Sequence, residues 1–185
     1  SMAVYVHMVE GSGGVGLAYA LSTDKGATWS PENTGFIGSL PTDGTMYDKP
    51  YLTVGPDGLG EGNLGRDRFY VTWHINNVIY VSSSTNGATW SDPVKVGDDA
   101  AGFHGASINS IPAVGADGHV YIVWEDYAEA GRTNFMFAVS TDGGSTWGTN
   151  RRIYTSNVNT FRDYWEADSR LSCGYSIPAQ PNRKI

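Results

Sequence analysis

Short apolar runs, separated by polar stretches that carry turn signals, recur along the chain. Such runs read as short β-strands, and no segment recurs convincingly at helical spacing. One kind of run is centred on a tyrosine: Val4-Tyr5-Val6, Phe69-Tyr70-Val71 and Val120-Tyr121-Ile122. Each is followed by a second apolar run that carries an aromatic residue, at Tyr19, Tyr80 or Phe137. Two are preceded by a further run, Pro50-Tyr51-Leu52-Thr53-Val54 and Ile111-Pro112-Ala113-Val114. These end in the turn signals Pro56-Asp57-Gly58 and Ala116-Asp117-Gly118.

A motif repeats after the aromatic run. It reads Ser22-Thr23-Asp24-Lys25-Gly26-Ala27-Thr28-Trp29, then Ser83-Ser84-Thr85-Asn86-Gly87-Ala88-Thr89-Trp90, then Ser140-Thr141-Asp142-Gly143-Gly144-Ser145-Thr146-Trp147. The tryptophans are 61 and then 57 residues apart. A fixed period of this length marks a repeat architecture. Each unit reads strand A, turn, strand B, loop, strand C, motif turn, strand D. Four short antiparallel strands per repeat predict a propeller blade. In the motif, Asp24 and Asp142 can accept backbone N–H bonds across a tight turn. Gly26, Gly87 and Gly144 supply backbone conformations closed to other residues. Trp29, Trp90 and Trp147 can pack beneath the turn. Aligned on the tryptophans, Thr85 stands where the other copies have aspartate, so the middle turn is expected to be the least rigid.

The pattern Ser-x-Asp-x-Gly-x-Thr-Trp resembles the Asp box (BNR repeat) of sialidase-like β-propellers. Asp48-Lys49-Pro50-Tyr51 also resembles bacterial members of that family. The expected fold is all-β, with residues 1–185 forming a single half-propeller domain. The first unit supplies strands B to D, and the next two supply A to D. Tyr175-Ser176-Ile177-Pro178-Ala179-Gln180 matches the start of the third strand A. The count is three blades of four strands, half of a six-bladed propeller, with one blade split between the two ends. Two chains would then complete a ring as a homodimer, unless a longer chain supplies the remaining blades.

Composition narrows the partners. With 19 acidic against 12 basic residues the net charge is −7, which argues against binding nucleic-acid phosphates. No run of about 18 apolar residues could span a membrane. Cys173 is the only cysteine, so no internal disulfide can form. It reads as a small buried apolar residue rather than a nucleophile. The resemblance implies a secreted or cell-surface setting.

In the resembling fold the D-to-A and B-to-C loops share the face that carries the channel mouth. Asp-box turns lie on the other face, so the box residues read as structural. The resemblance implies an arginine cluster for a substrate carboxylate, a tyrosine–glutamate nucleophile and an aspartate acid/base. Guanidinium forks suit a carboxylate. By sequence, Tyr164, Glu166 and Asp48 are the candidate catalytic residues. Arg162, Arg170, Arg132, Asp43 and Glu125 are the candidate substrate-binding residues. Asp163, Asp168, Tyr47 and Asp126 lie beside them, while His74 and His104 read as satisfied or exposed histidines. No cofactor is implied. The oxygens of Asp57, Glu61, Asn63 and Asp67 would suit a hard cation such as calcium. The family's Phe/Tyr-Arg-Ile-Pro motif is missing its arginine, with Ser110 and Ser176 in that place. Two functions therefore stand side by side: a sialidase-type glycoside hydrolase, or half of one, and a non-catalytic propeller that binds a glycan or a protein.

Overall fold

The computed structural model describes residues 2–31, 35–58, 66–96, 106–127, 129 and 132–156. They form eleven strands in three antiparallel sheets. The first sheet holds β1 (Ala3–Gly11), β2 (Gly14–Ser22) and β3 (Gly35–Ile37) in that order. The second holds β4 (Tyr47–Pro56), β5 (Asp67–Ile75), β6 (Val78–Ser84) and β7 (Val94–Lys95). The third holds β8 (Ser107–Val114), β9 (Val120–Asp126), β10 (Thr133–Ser140) and β11 (Arg151–Ser156). These are strands B to D, A to D and A to D of the expected units. The strand expected near 175–180 lies outside the described residues, as does Cys173.

The three central hairpins share one register. Ala3 faces Ser22, Phe69 faces Ser84 and Val120 faces Ser140. Met8, His74 and Glu125 therefore occupy one equivalent rung, three strand-B residues on three blades.

Burial follows from stacking. One core cluster holds Tyr70, Ile79 and Val81 of the second sheet against Val120, Ile122, Trp124 and Met136 of the third. Another holds Leu17 and Ile37 of the first sheet against Tyr47, Val71 and Trp73 of the second. Strand β5 contributes to both, so Phe69 to His74 are buried on both faces. Strand β9 alternates buried and half-buried residues along its length. The near-continuous apolar run in β5 and the alternation in β9 thus record one covered sheet and one half-covered sheet.

The box turns close as local networks. Ser22 Oγ donates to Asp24 Oδ1 at 2.8 Å and accepts from Gly26 N at 2.8 Å. Asp24 then accepts from Thr28 N at 2.9 Å and Thr28 Oγ1 at 2.6 Å. Ser140, Asp142, Gly144 and Thr146 repeat this set. In the middle turn the roles fall on Ser84 and Asn86, not on Ser83 and Thr85. Gly87 N donates to Ser84 Oγ at 2.8 Å, and Thr89 N donates to Asn86 Oδ1 at 2.8 Å. That turn is one residue shorter between serine and tryptophan, so counting back from Trp90 lands one position early. Trp90 and Trp147 donate to Gly87 O and Gly144 O and pack on the core clusters. Trp29 is 45% exposed, because no described sheet precedes the first.

Each later turn also seats on the sheet before it. A Cβ on Gly87 would lie 2.6 Å from Val4 Cγ2, and one on Gly144 would lie 3.6 Å from Tyr70 Cε1. Val4 and Tyr70 are equivalent strand-B positions in successive sheets.

Strands β4 and β8 pack on each other, and β1 packs on β4. Both β4 and β8 break register at one residue in the left-handed region, Lys49 (φ 53) and Asn109 (φ 56). These are β-bulges, which re-aim a side chain. At the opposite strand ends the Asp-Gly turns of the two sheets meet. A Cβ on Gly118 would lie 2.2 Å from Gly58 Cα.

Candidate functional site

The end of the sheets opposite the box turns collects the polar groups. There β4 and β8 begin, the Asn76-Asn77 turn joins β5 to β6, and β9 runs into the connection before β10. On the third sheet, Glu125 Oε2 accepts hydrogen bonds from Tyr127 OH and, at 3.0 Å, from Asn109 Nδ2. Glu125 and Tyr127 are two apart at a strand end, so they share a face. The bulge brings Asn109 across from β8. Asparagine tolerates the left-handed backbone that this requires. Beneath them Ser107 Oγ donates to buried Asp126 Oδ2 at 2.7 Å.

On the second sheet the equivalent positions are Asp48, Lys49 and His74. Asp48 Oδ2 lies 3.6 Å from Lys49 Nζ and 3.6 Å from His74 Nε2. Burial lowers the His74 pKa; Asp48 pulls it up, Lys49 pushes it down, and the net shift is downward. At neutral pH the His74–Asp48 contact therefore involves a neutral imidazole. His74 Nδ1 is buried without a hydrogen-bond partner among the described residues. Tyr47, one rung away, stacks on Trp73 with ring centroids 5.6 Å apart, and Trp73 stacks on Tyr80 at 6.3 Å.

The other predicted residues fall as follows. Asp43 lies on the exposed loop before β4 and accepts from Thr45 N at 3.0 Å. The Thr45 side chain and then its backbone N–H hold the Asp43 carboxyl below its ordinary pKa. Arg132 Nη1 pairs with Glu129 Oε1 at 2.8 Å, and Arg152 approaches the other oxygen of Glu129 at 3.8 Å. Arg162, Tyr164, Glu166 and Arg170 lie outside the described residues, as do Asp163, Asp168 and His104. Of the four oxygen-bearing residues assigned to a cation, Glu61 and Asn63 also lie outside them. Asp57 turns both carboxylate oxygens toward Arg68, at 3.2 Å from Nε and 3.1 Å from Nη2. Among the described residues no group of three or more His, Cys, Asp or Glu could hold a metal ion.

Tyr127 and Asn109 are not among the residues the sequence points to. The spacing of Glu125 and Tyr127 on one strand face was a usable signal for the first. Asn109 needed the bulge and the pairing of β8 with β9, which no local pattern shows.

No protein-family model and no curated protein sequence matches the chain. Solved structures do. The Hadza microbial sialidase Hz136 aligns with a TM-score of 0.55 and 17% identity, over 83% of this chain and 35% of its own. The K499G mutant of NanB sialidase from Streptococcus pneumoniae aligns at 0.52 and 17%, over 76% of this chain and 19% of its own. The intramolecular trans-sialidase from Ruminococcus gnavus aligns at 0.50 and 22%, over 75% and 27%. The chain spans 19% to 35% of these three chains. Its fold is that of the sialidase-like β-propellers.

Proposed function

From this sialidase-like propeller fold we propose that the chain forms part of a glycan-processing glycoside hydrolase in which Tyr127 is the nucleophile and Glu125 its base. The observation that carries the reading is the hydrogen bond from Tyr127 OH to Glu125 Oε2. A free phenol, with a pKa of about 10, is a poor nucleophile near neutral pH. A carboxylate bonded to its O–H takes up the proton as the phenol oxygen attacks the anomeric carbon. The new bond joins Tyr127 Oη to that carbon, and the bond to the leaving-group oxygen breaks. Water then cleaves the glycosyl–tyrosine bond and restores the phenol. Asp48 is the proposed acid/base, giving the leaving group its proton. Arg162, Tyr164, Glu166 and Arg170 stay within the proposal as residues of the connection that follows β11. The proteins with similar structures are named sialidases and a trans-sialidase, which supports a glycosidic substrate.

The test is turnover of a fluorogenic sialoside and of a panel of other glycosides. Tyr127→Phe and Glu125→Gln should each lower kcat/KM about a hundredfold or more with the melting temperature unchanged. Full activity in both variants would place the chemistry elsewhere. A second reading, a non-catalytic glycan- or protein-binding module, is favoured by one observation: Arg132 and Arg152 both face Glu129. Binding on a glycan array without turnover of any glycoside would select it. In either reading, a second copy of the chain or the remaining blades of a longer chain is proposed to complete the ring.

A further inference from the structure

A cleft of about 240 Å³ opens at the seam between the first and second sheets, apart from Glu125 and Tyr127. Leu40, Pro41 and Tyr47 line its apolar part, and Ser39, Thr42 and Asp43 line its polar part. The loop that forms it is held from below. Gly44 N donates to Gly13 O at 2.6 Å, and Val15 N donates to Thr45 O at 3.0 Å. A Cβ on Gly13 would lie 2.7 Å from Thr42 O, and one on Gly14 would lie 2.4 Å from Thr45 O. The β1–β2 hairpin is thus pressed against the loop backbone, and the cleft is preformed.

Two polar groups in it have spare bonding capacity. Asp43 accepts from the Thr45 side chain and backbone N–H, whereas an ionised carboxylate offers about four acceptor sites. Tyr47 lines the cleft at only 8% exposure, and its phenol can donate one hydrogen bond. Burial raises the Tyr47 pKa first and the Asp43 charge raises it further, so the phenol keeps its proton as a donor. An apolar wall beside hydroxyls and a carboxylate matches a pyranose ring, which has a C–H face and a rim of hydroxyl donors. The negative charge of Asp43 disfavours an acidic sugar.

We infer that this cleft is a subsite for one neutral pyranose ring, bound through Asp43 and Tyr47. It stands whether or not Tyr127 turns over a glycoside. Calorimetric titration and saturation-transfer NMR would use methyl α-D-glucopyranoside, methyl β-D-galactopyranoside, N-acetylneuraminic acid and glycerol. At least one neutral pyranoside should bind with a Kd of about 1 mM. Asp43→Asn and Tyr47→Phe should each weaken it by roughly tenfold or more, and both should keep the wild-type melting temperature. Tyr127→Phe should leave this binding unchanged while removing turnover, which separates the subsite from the chemistry. Binding by neither pyranoside, unchanged affinity in either cleft variant, or N-acetylneuraminic acid or glycerol binding more tightly than the pyranosides and losing that binding in the cleft variants would overturn the assignment.

Discussion

Asp24 shows how much one side chain can organise. The Thr28 hydroxyl, the Thr28 backbone N–H and Ser22 together hold its pKa down to about 2, from 3.8. In Asp142 burial acts against the shift, but bonds from Thr146, Ser140 and Ser145 outweigh it and the pKa is still lowered. A depressed carboxylate contributes fully above 3.8, and its contribution fades as pH falls toward its folded value. The middle turn uses Asn86, which does not titrate. The Thr28 amide proton should therefore shift with a midpoint near pH 2. The Thr146 amide should also titrate in the acid range, whereas the Thr89 amide should not. NMR of the folded protein on acidification checks this, and a Thr89 shift that tracked Thr28 would refute it. The box was legible as a motif, but the residue acting in its middle copy was not. Thr85 is the aligned residue, yet the pairing of Phe69 with Ser84 fixes the turn one position later.

Strands were legible wherever an apolar or tyrosine-centred run was present, and among the described residues each lies in its expected unit. Less legible was how one blade's turn locks onto the next sheet. Gly87 has φ +68 and no room for a Cβ beside Val4, whereas Gly44 has φ +86 and nothing within 4 Å. Gly44→Ala should cost about 1–2 kcal/mol for left-handed backbone alone. Gly87→Ala should cost about 1–3 kcal/mol more for the clash. Urea unfolding of the two variants measures the difference; equal losses would mean that the turn does not seat on Val4. The bulges at Lys49 and Asn109 are a second feature no periodicity announces. They matter because one of them delivers the Asn109 amide to Glu125.

The described residues form three sheets, and a closed propeller takes about four to eight blades. The first and last sheets also carry exposed apolar residues: Tyr5 is 58% exposed, Ile153 58% and Tyr154 63%. Such surface favours association. If a second copy completes the ring, as proposed, light scattering should give twice the 19.9 kDa mass of one chain. Replacing Tyr5 and Tyr154 with lysine should weaken the pair. A monodisperse single chain would rule out ring completion by a second copy.

The chain alone determined its all-β class, the repeat and the order of strands within each described blade. These depend on short-range spacing, on turn chemistry and on the two-residue period of a strand. Tertiary structure decided which polar residues meet. Asn109 reaches Glu125 across sixteen positions of sequence, and the cleft walls join the loop before β4 to Ile75 at the end of β5. Contacts of that kind are set by strand register, bulges and sheet stacking, which join residues far apart in the chain and leave no local period to read.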